Sequence, residues 1–480
     1  SDLPPVTDLY YDRDYSLLEV TEDTGYESIV LSHTQENGLH EYGALTTAGS
    51  GVLTTDVFSF YADPYMEWAE RGSTANHSSA LVNNVEMYGE TISTELWMAD
   101  GRWTFLSFPF DVQISDILPQ RARTEWVIRR YDGQKRAEGS MDETWVNMDA
   151  DEVLQAYEGY IWQPARRWGR TGFIVPALDN DNKENLFAAD AVEVPLMNYD
   201  SEFAHNRSWN LVGNPYPCYY AIQAMDFPAP ITTWDVTTQS YQAQSPLDDD
   251  YVLYPFEAFF VQRPDDVESI VFQPEGRQVN RAVTPRNIKR NARAREMAAR
   301  REVLNLTLSG EAYSDRTRVV VNEEAVRSYE LDKDAAKFMS GSSLAPQFFS
   351  TDGGLRFAIN ERPFDDGVVV LGMMLVSAGR YTISLQTASD LTVTLEDQET
   401  GASVQLNGTD GYSFDAPAGT LQNRFALHLS EPTAIDAVQR SAAAAEAEIF
   451  TVDGRRVQSM RTPGIYIVKE GEHVVKRYVK

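Results

Sequence analysis

An internal duplication constrains this chain more than any other feature of its sequence. Trp103-Thr104-Phe105-Leu106-Ser107-Phe108-Pro109-Phe110 is matched by Trp209-Asn210-Leu211-Val212-Gly213-Asn214-Pro215-Tyr216. A turn segment follows each, Arg130-Tyr131-Asp132-Gly133 in one copy and Thr233-Trp234-Asp235-Val236 in the other. An aromatic run comes next, Gly159-Tyr160-Ile161-Trp162-Gln163 against Ala258-Phe259-Phe260-Val261-Gln262, and then a closing run, Phe173-Ile174-Val175-Pro176 against Ile270-Val271-Phe272-Gln273-Pro274. Short apolar and aromatic runs bounded by Gly, Pro and Asp read as strands, and landmarks repeated in one order read as two copies of a unit. Residues 96–276 are therefore expected to hold two copies of one β-unit, or two halves of one sandwich. Pro109 and Pro215 have no N–H to give a ladder and mark strand exits or edges.

The rest of the chain also reads as strand and turn, so the predicted class is all-β and multidomain. Residues 1–95 carry strand candidates such as Tyr26–Leu31 and Gly51–Tyr61, either a small β-domain or the end of a longer β-structure. Residues 277–302 change character: Arg277 to Arg301 holds nine basic residues and one acid, which reads as a solvated linker or a short exposed helix. Residues 303–431 return to closely spaced strand signals, among them Val303–Leu308, Arg318–Val321, Leu355–Ile359 and Arg424–Leu429, and fit an Ig-like β-sandwich. Residues 432–480 form a last small unit. In it Glu448–Val457, Thr462–Val468 and Val474–Lys480 alternate apolar and polar residues around Asp-Gly and Pro-Gly turn signals, predicting three short antiparallel strands.

Lysine plus arginine total 41 against 72 acids, a formal charge of -31. Such a surface repels nucleic acid and anionic lipid and favours solubility. No apolar run is long enough for a membrane-spanning helix. The lone Cys218 cannot form an internal disulfide. Ser1-Asp2-Leu3-Pro4-Pro5 lacks the basic and apolar regions of a secretory signal, so the numbering is expected to start at a mature end, a processed end or a chosen boundary within a longer chain.

A search for chemistry finds no H-E-x-x-H, no G-x-S-x-G and no phosphate-cradling G-x-x-x-x-G-K, and the six histidines lack metal-ligand spacing. The expectation is a protein without enzymatic activity and without a cofactor. Calcium has weak candidates: Asp179 and Asp181 alternate on one loop that ends near Asp190, and Asp248 and Asp250 flank a second acidic turn. Neither is an EF-hand, since the first lacks the glycine at its sixth position. Flat aromatic rings can cover the C–H faces of sugars. Trp103 and Trp209 hold equivalent places in the repeat and read as core, whereas Trp162 and Trp168 flank the turn-like Gln163–Arg167 and are candidates for ligand binding.

The terminal unit resembles the C-terminal sorting domain of type IX secretion substrates in the Bacteroidota. There a D-G-R-x-V strand, a P-G-x-Y strand and a lysine-ended terminal strand recur; here they correspond to Asp453–Val457, Pro463–Tyr466 and the run to Lys480. The resemblance implies recognition by the type IX translocon, with Gly454, Pro463, Gly464, Tyr466 and Lys480 carrying the signal, and an extracellular, outer-membrane-associated location. The Trp209–Tyr216 segment is similar to one common in large surface proteins of that phylum. Asp315–Val319, Ala378–Ile383, Leu395–Asp397 and Asn423–Phe425 resemble the sandwich that often precedes such sorting domains. Together these imply a secreted surface protein that binds a glycan or protein ligand or serves structurally. The alternative is the non-catalytic C-terminal part of an extracellular hydrolase whose catalytic module lies upstream.

Overall fold

The computed structural model describes residues 9–10, 16–34, 40–64, 78–165, 169–280, 301–386, 390–407, 410–431, 448–451, 456–457, 464–470 and 473–479. The chain is all-β and multidomain, and among the described residues only short helical turns lie between strands.

The N-terminal region is a stack of parallel rungs. Thr24–Val30, Val52–Ala62 and Glu86–Ala99 pair in parallel, and Ser16–Val20, Ala44–Gly49 and Ala80–Val82 do the same in a second sheet. Each rung thus contributes one strand to each sheet, the arrangement of a β-solenoid. In-register stacking lines up like with like: Ile29 stands beside Phe58, and Phe58 beside Ile92, all three buried. The tight corners need glycine. Gly49 has φ +126, and a Cβ there would lie 2.1 Å from the Val20 carbonyl oxygen of the rung before. Asn83 and Asn84 bind the third corner to the second. Asn84 donates to the Thr47 carbonyl at 2.9 Å, while its backbone N–H reaches Thr47 Oγ1 at 2.8 Å.

Arg170–Pro176 adds antiparallel to Glu86–Ala99, so the first copy of the duplicated unit continues the solenoid sheet. The expected boundary between residues 95 and 96 falls inside that one strand. The two copies then share a strand order. Thr104–Leu106, Tyr160–Pro164, Trp126–Tyr131 and Trp145–Asn147 form one four-stranded sheet; Trp209–Gly213, Ala258–Gln262, Ile231–Asp235 and Ser240–Gln244 form its counterpart. Arg170–Pro176 lies between Glu86–Ala99 and Leu118–Pro119, just as Ser269–Phe272 lies between Val192–Pro195 and Met225–Asp226.

The copies meet reciprocally, as the halves of an isologous dimer do. Leu106 bridges to Glu257, and its counterpart Val212 bridges to Glu158. Ser107 N donates to Phe256 O at 3.0 Å and Gly213 N to Tyr157 O at 3.0 Å. Tyr157 and Phe256, at matching positions, both take left-handed backbone with φ of 69 and 64. On this axis Gly213 is required, because a Cβ there would sit 2.0 Å from Ser107 Cβ. Between the sheets lies an aromatic core of Phe105, Trp209, Trp234 and Phe260, with Phe105 and Trp234 stacked at 5.2 Å.

Residues 302–430 form one continuous mixed sheet that folds back on itself into a sandwich. Its edges are Ala402–Gln405 and Tyr412–Ala416, and only Ser314–Val321 and Leu355–Arg362 pair in parallel along its main path. The fold-back is seen where Phe414, on the edge strand, meets Phe425 near the opposite end at 4.6 Å. Alternating burial along Glu302–Ser309 puts Leu304, Leu306 and Leu308 into this core.

The terminal unit is an antiparallel sheet of Arg456–Val457, Glu448–Thr451, Gly464–Glu470 and His473–Val479. It has four strands where three were expected. The first alternating piece supplies two of them, with Ile449 opposite Val457; the Asp-Gly turn signal between them in sequence lies outside the described residues.

Candidate functional surfaces

Of the proposed sorting residues, Gly464 and Tyr466 lie on one strand. Gly464 faces Val479 across the ladder, and Tyr466 stands between Thr451 and Arg477. Gly454, Pro463 and Lys480 fall outside the described residues.

Trp162 is a core residue. It is 1% exposed and packs against Phe173 at 4.8 Å and Trp126 at 5.1 Å, so it offers no face to a ligand. Its strand is covered on both sides, which the neighbouring Gln163–Arg167 did not reveal. Trp168 lies outside the described residues. Trp209 is buried and Trp103 half-buried, with the Arg129 guanidinium 4.9 Å above its ring.

The first acidic loop is a 3-10 turn, Asp181–Phe187, whose acids point to water or to lysine. Asp179 pairs with Lys183 at 2.6 Å, and hydrogen bonding from that lysine holds its carboxyl below the usual range. Asp181 and Asp190 are exposed. Asn180 and Asn182 both reach back to Asp111 Oδ2, at 2.8 and 2.9 Å, fastening the loop to the first copy. Among the described residues, no group of three or more His, Cys, Asp or Glu side chains is placed to hold a metal ion. Next to this loop an open groove of about 510 Å³ is lined by Gly49–Gly51, Asn84–Tyr88, Glu184 and Phe187–Asp190. Gly89 makes the approach possible: a Cβ there would crowd the Phe187 ring at 3.2 Å. Cys218 is fully buried, and burial pushes its thiol up to about 12, which removes it as a nucleophile.

The second acidic turn is taken by arginines. Arg318 donates to both oxygens of Asp249, at 3.0 and 2.7 Å, and to Asn305 Oδ1 at 2.7 Å. Arg316 reaches Asp249 at 3.0 Å, and Arg301 binds Asp248 at 2.9 Å and Glu361 at 2.6 Å. Asp250 accepts from Gln223 of its own unit. These arginines come from the sandwich side and the acids Asp248 and Asp249 from the second copy, so the network joins the two units, with Arg301 and Arg318 buried and Arg316 partly exposed at its rim. Burial alone would raise Asp249, but Arg318, Arg316 and the Ser245 N–H outweigh it and hold the carboxyl below its ordinary range. Burial likewise works against Arg301, and Asp248 with Glu361 reverses the sign.

Apolar and aromatic contacts complete the junction. Phe338 of the sandwich region inserts among Trp209 at 4.6 Å, Phe260 at 5.1 Å and Tyr241 at 5.3 Å, with the Arg136 guanidinium 4.2 Å over its ring. Tyr329 donates to Gln262 Oε1 at 2.8 Å. Beneath it Asp334 accepts from the Glu330 and Glu361 N–H groups at 2.8 Å each, and burial pushes its carboxyl up to about 8. Sequence reasoning treated the sandwich as a separate unit and missed this junction. The available signal was charge inside a strand, Arg316 and Arg318 beside an apolar run, opposite an acidic turn elsewhere.

An all-β multidomain protein whose second repeat and sandwich are fused by a buried interface is the class these features define. In comparisons with known proteins, residues 231–429 match the model of a domain of unknown function, DUF8693. That span starts at the strand Ile231–Asp235 and runs through the sandwich, thus including both sides of the junction. No curated protein and no solved structure matches the chain.

Proposed function

We propose that this is an exported, surface-associated protein of the Bacteroidota type, with a binding or structural role, delivered by a type IX-like route with residues 433–480 as the address. The observation that carries the reading is the terminal antiparallel sheet: among the described residues, the strands that follow or precede the D-G-R-x-V, P-G-x-Y and terminal patterns pair with one another in a sheet of their own. A segment to be recognised by a translocon must be readable apart from its passenger, and such a separate sheet suits that need. The body suits a passenger that displays rather than reacts: stacked rungs continue into a duplicated unit, which is locked by buried charge to a sandwich. Its acidic surface favours a soluble state outside the cell.

Deleting residues 433–480 and following delivery in a cell with the type IX machinery tests the address. The expected result is retention inside the cell envelope. Surface delivery at the level of the intact chain would sink the proposal.

A further inference from the structure

We propose that Lys337 and Asp315 become joined by an intramolecular amide bond, a self-formed cross-link inside the sandwich. Lys337 Nζ lies 2.5 Å from Asp315 Oδ2, with only 3% and 1% of the two side chains exposed. Both are fixed by their backbones. Asp315 sits on the strand Ser314–Val321 opposite Leu308, and the Lys337 N–H donates to Arg356 O at 2.9 Å. Two reactive groups so held meet without the entropic cost of finding each other.

The first step of the reaction is transfer of a proton within the pair, from Lys337 Nζ to Asp315 Oδ2, which makes the amine the nucleophile and the carboxyl carbon the electrophile. The surroundings suit the next step. The Phe348 N–H donates to Oδ2 at 2.7 Å, and Gln242 Nε2 donates to Oδ1 at 3.2 Å. When Nζ attacks Cγ, negative charge develops on Oδ1, where Gln242 can meet it. The new Nζ–Cγ bond forms, the Cγ–Oδ2 bond breaks, and Oδ2 departs as water carrying the proton first taken from the ammonium and a second one from Nζ. Ammonium plus carboxylate thus become amide plus water, with no oxidant or other reagent. Gln242 belongs to the second copy, so docking of the sandwich completes the site.

The test is the intact mass of the purified full chain under denaturing conditions, followed by peptide mapping. The expected mass is lower than the sequence mass by one water, with a cross-linked peptide joining Asp315 to Lys337. Lys337→Arg and Asp315→Ala each restore the full mass, and Gln242→Ala lowers the cross-linked fraction. A wild-type chain of full sequence mass, whose Lys337 is acetylated by an amine reagent after denaturation, overturns the proposal. That measurement needs no variant to fold.

Discussion

Replacing Arg318 by Met is expected to cost about 3–5 kcal/mol of stability, the penalty for leaving a buried charge without its partner. The size follows from the geometry. Arg318 is 1% exposed and bonds both oxygens of Asp249, at 3.0 and 2.7 Å, whereas the remaining cationic partner, Arg316, makes one bond at 3.0 Å. Asp249→Asn should cost a similar amount for the opposite reason, since Arg318 then loses its contacting anion, the nearest other carboxylate oxygen being that of Asp248 at 3.6 Å. The amide can retain the Ser245 N–H contact of 2.7 Å, so the turn itself is spared. The double variant removes both charges, and its loss should be smaller than the sum of the two by roughly 2–3 kcal/mol. Urea unfolding followed by tryptophan fluorescence reads all four chains. Trp209 and Trp234 lie in the core next to this junction and report its opening. Single variants each within about 1 kcal/mol of wild type, or a double variant equal to their sum, would refute the claim that charge pairing holds the junction.

Trp162→Ala should lower stability by about 3–5 kcal/mol, as expected for truncating a fully buried aromatic side chain, measured by thermal unfolding; an unchanged transition would contradict its place in the core. Asp334 should give stability an unusual pH dependence. Its folded pKa of about 8 lies above the unfolded value of about 3.9, so its contribution is fully present below that lower value and is lost as pH rises toward 8. The stability difference between wild type and Asp334→Asn should therefore shrink across that window by up to about 1.4 kcal/mol per pH unit, and a flat difference would count against a protonated Asp334.

Local pattern revealed much of this fold because local pattern is what strands and turns depend on. The duplication was legible because the same side chains recur in order, and Trp209 could be assigned to the core from its counterpart alone. The parallel rungs were not, since Thr24 pairs with Leu53 and Val52 with Glu86, separations that no short window contains. Trp162 was misjudged for a related reason: the polar turn beside it suggested exposure, and only Phe173 and Trp126 from other strands bury it. Asp248 and Asp250 looked like cation ligands because their partners, Arg301 and Gln223, lie far away or carry no visible link in sequence.

The all-β class, the repeat, the acidic charge and the terminal motif are readable from residues alone, because each is written in residues close together. Tertiary structure alone decided which surfaces survive as surfaces. A carboxylate on a loop is a ligand for calcium, an anchor for arginine or a solvated charge according to what folds over it. At Asp249 it was Arg318, 69 residues further along the chain, that made the choice.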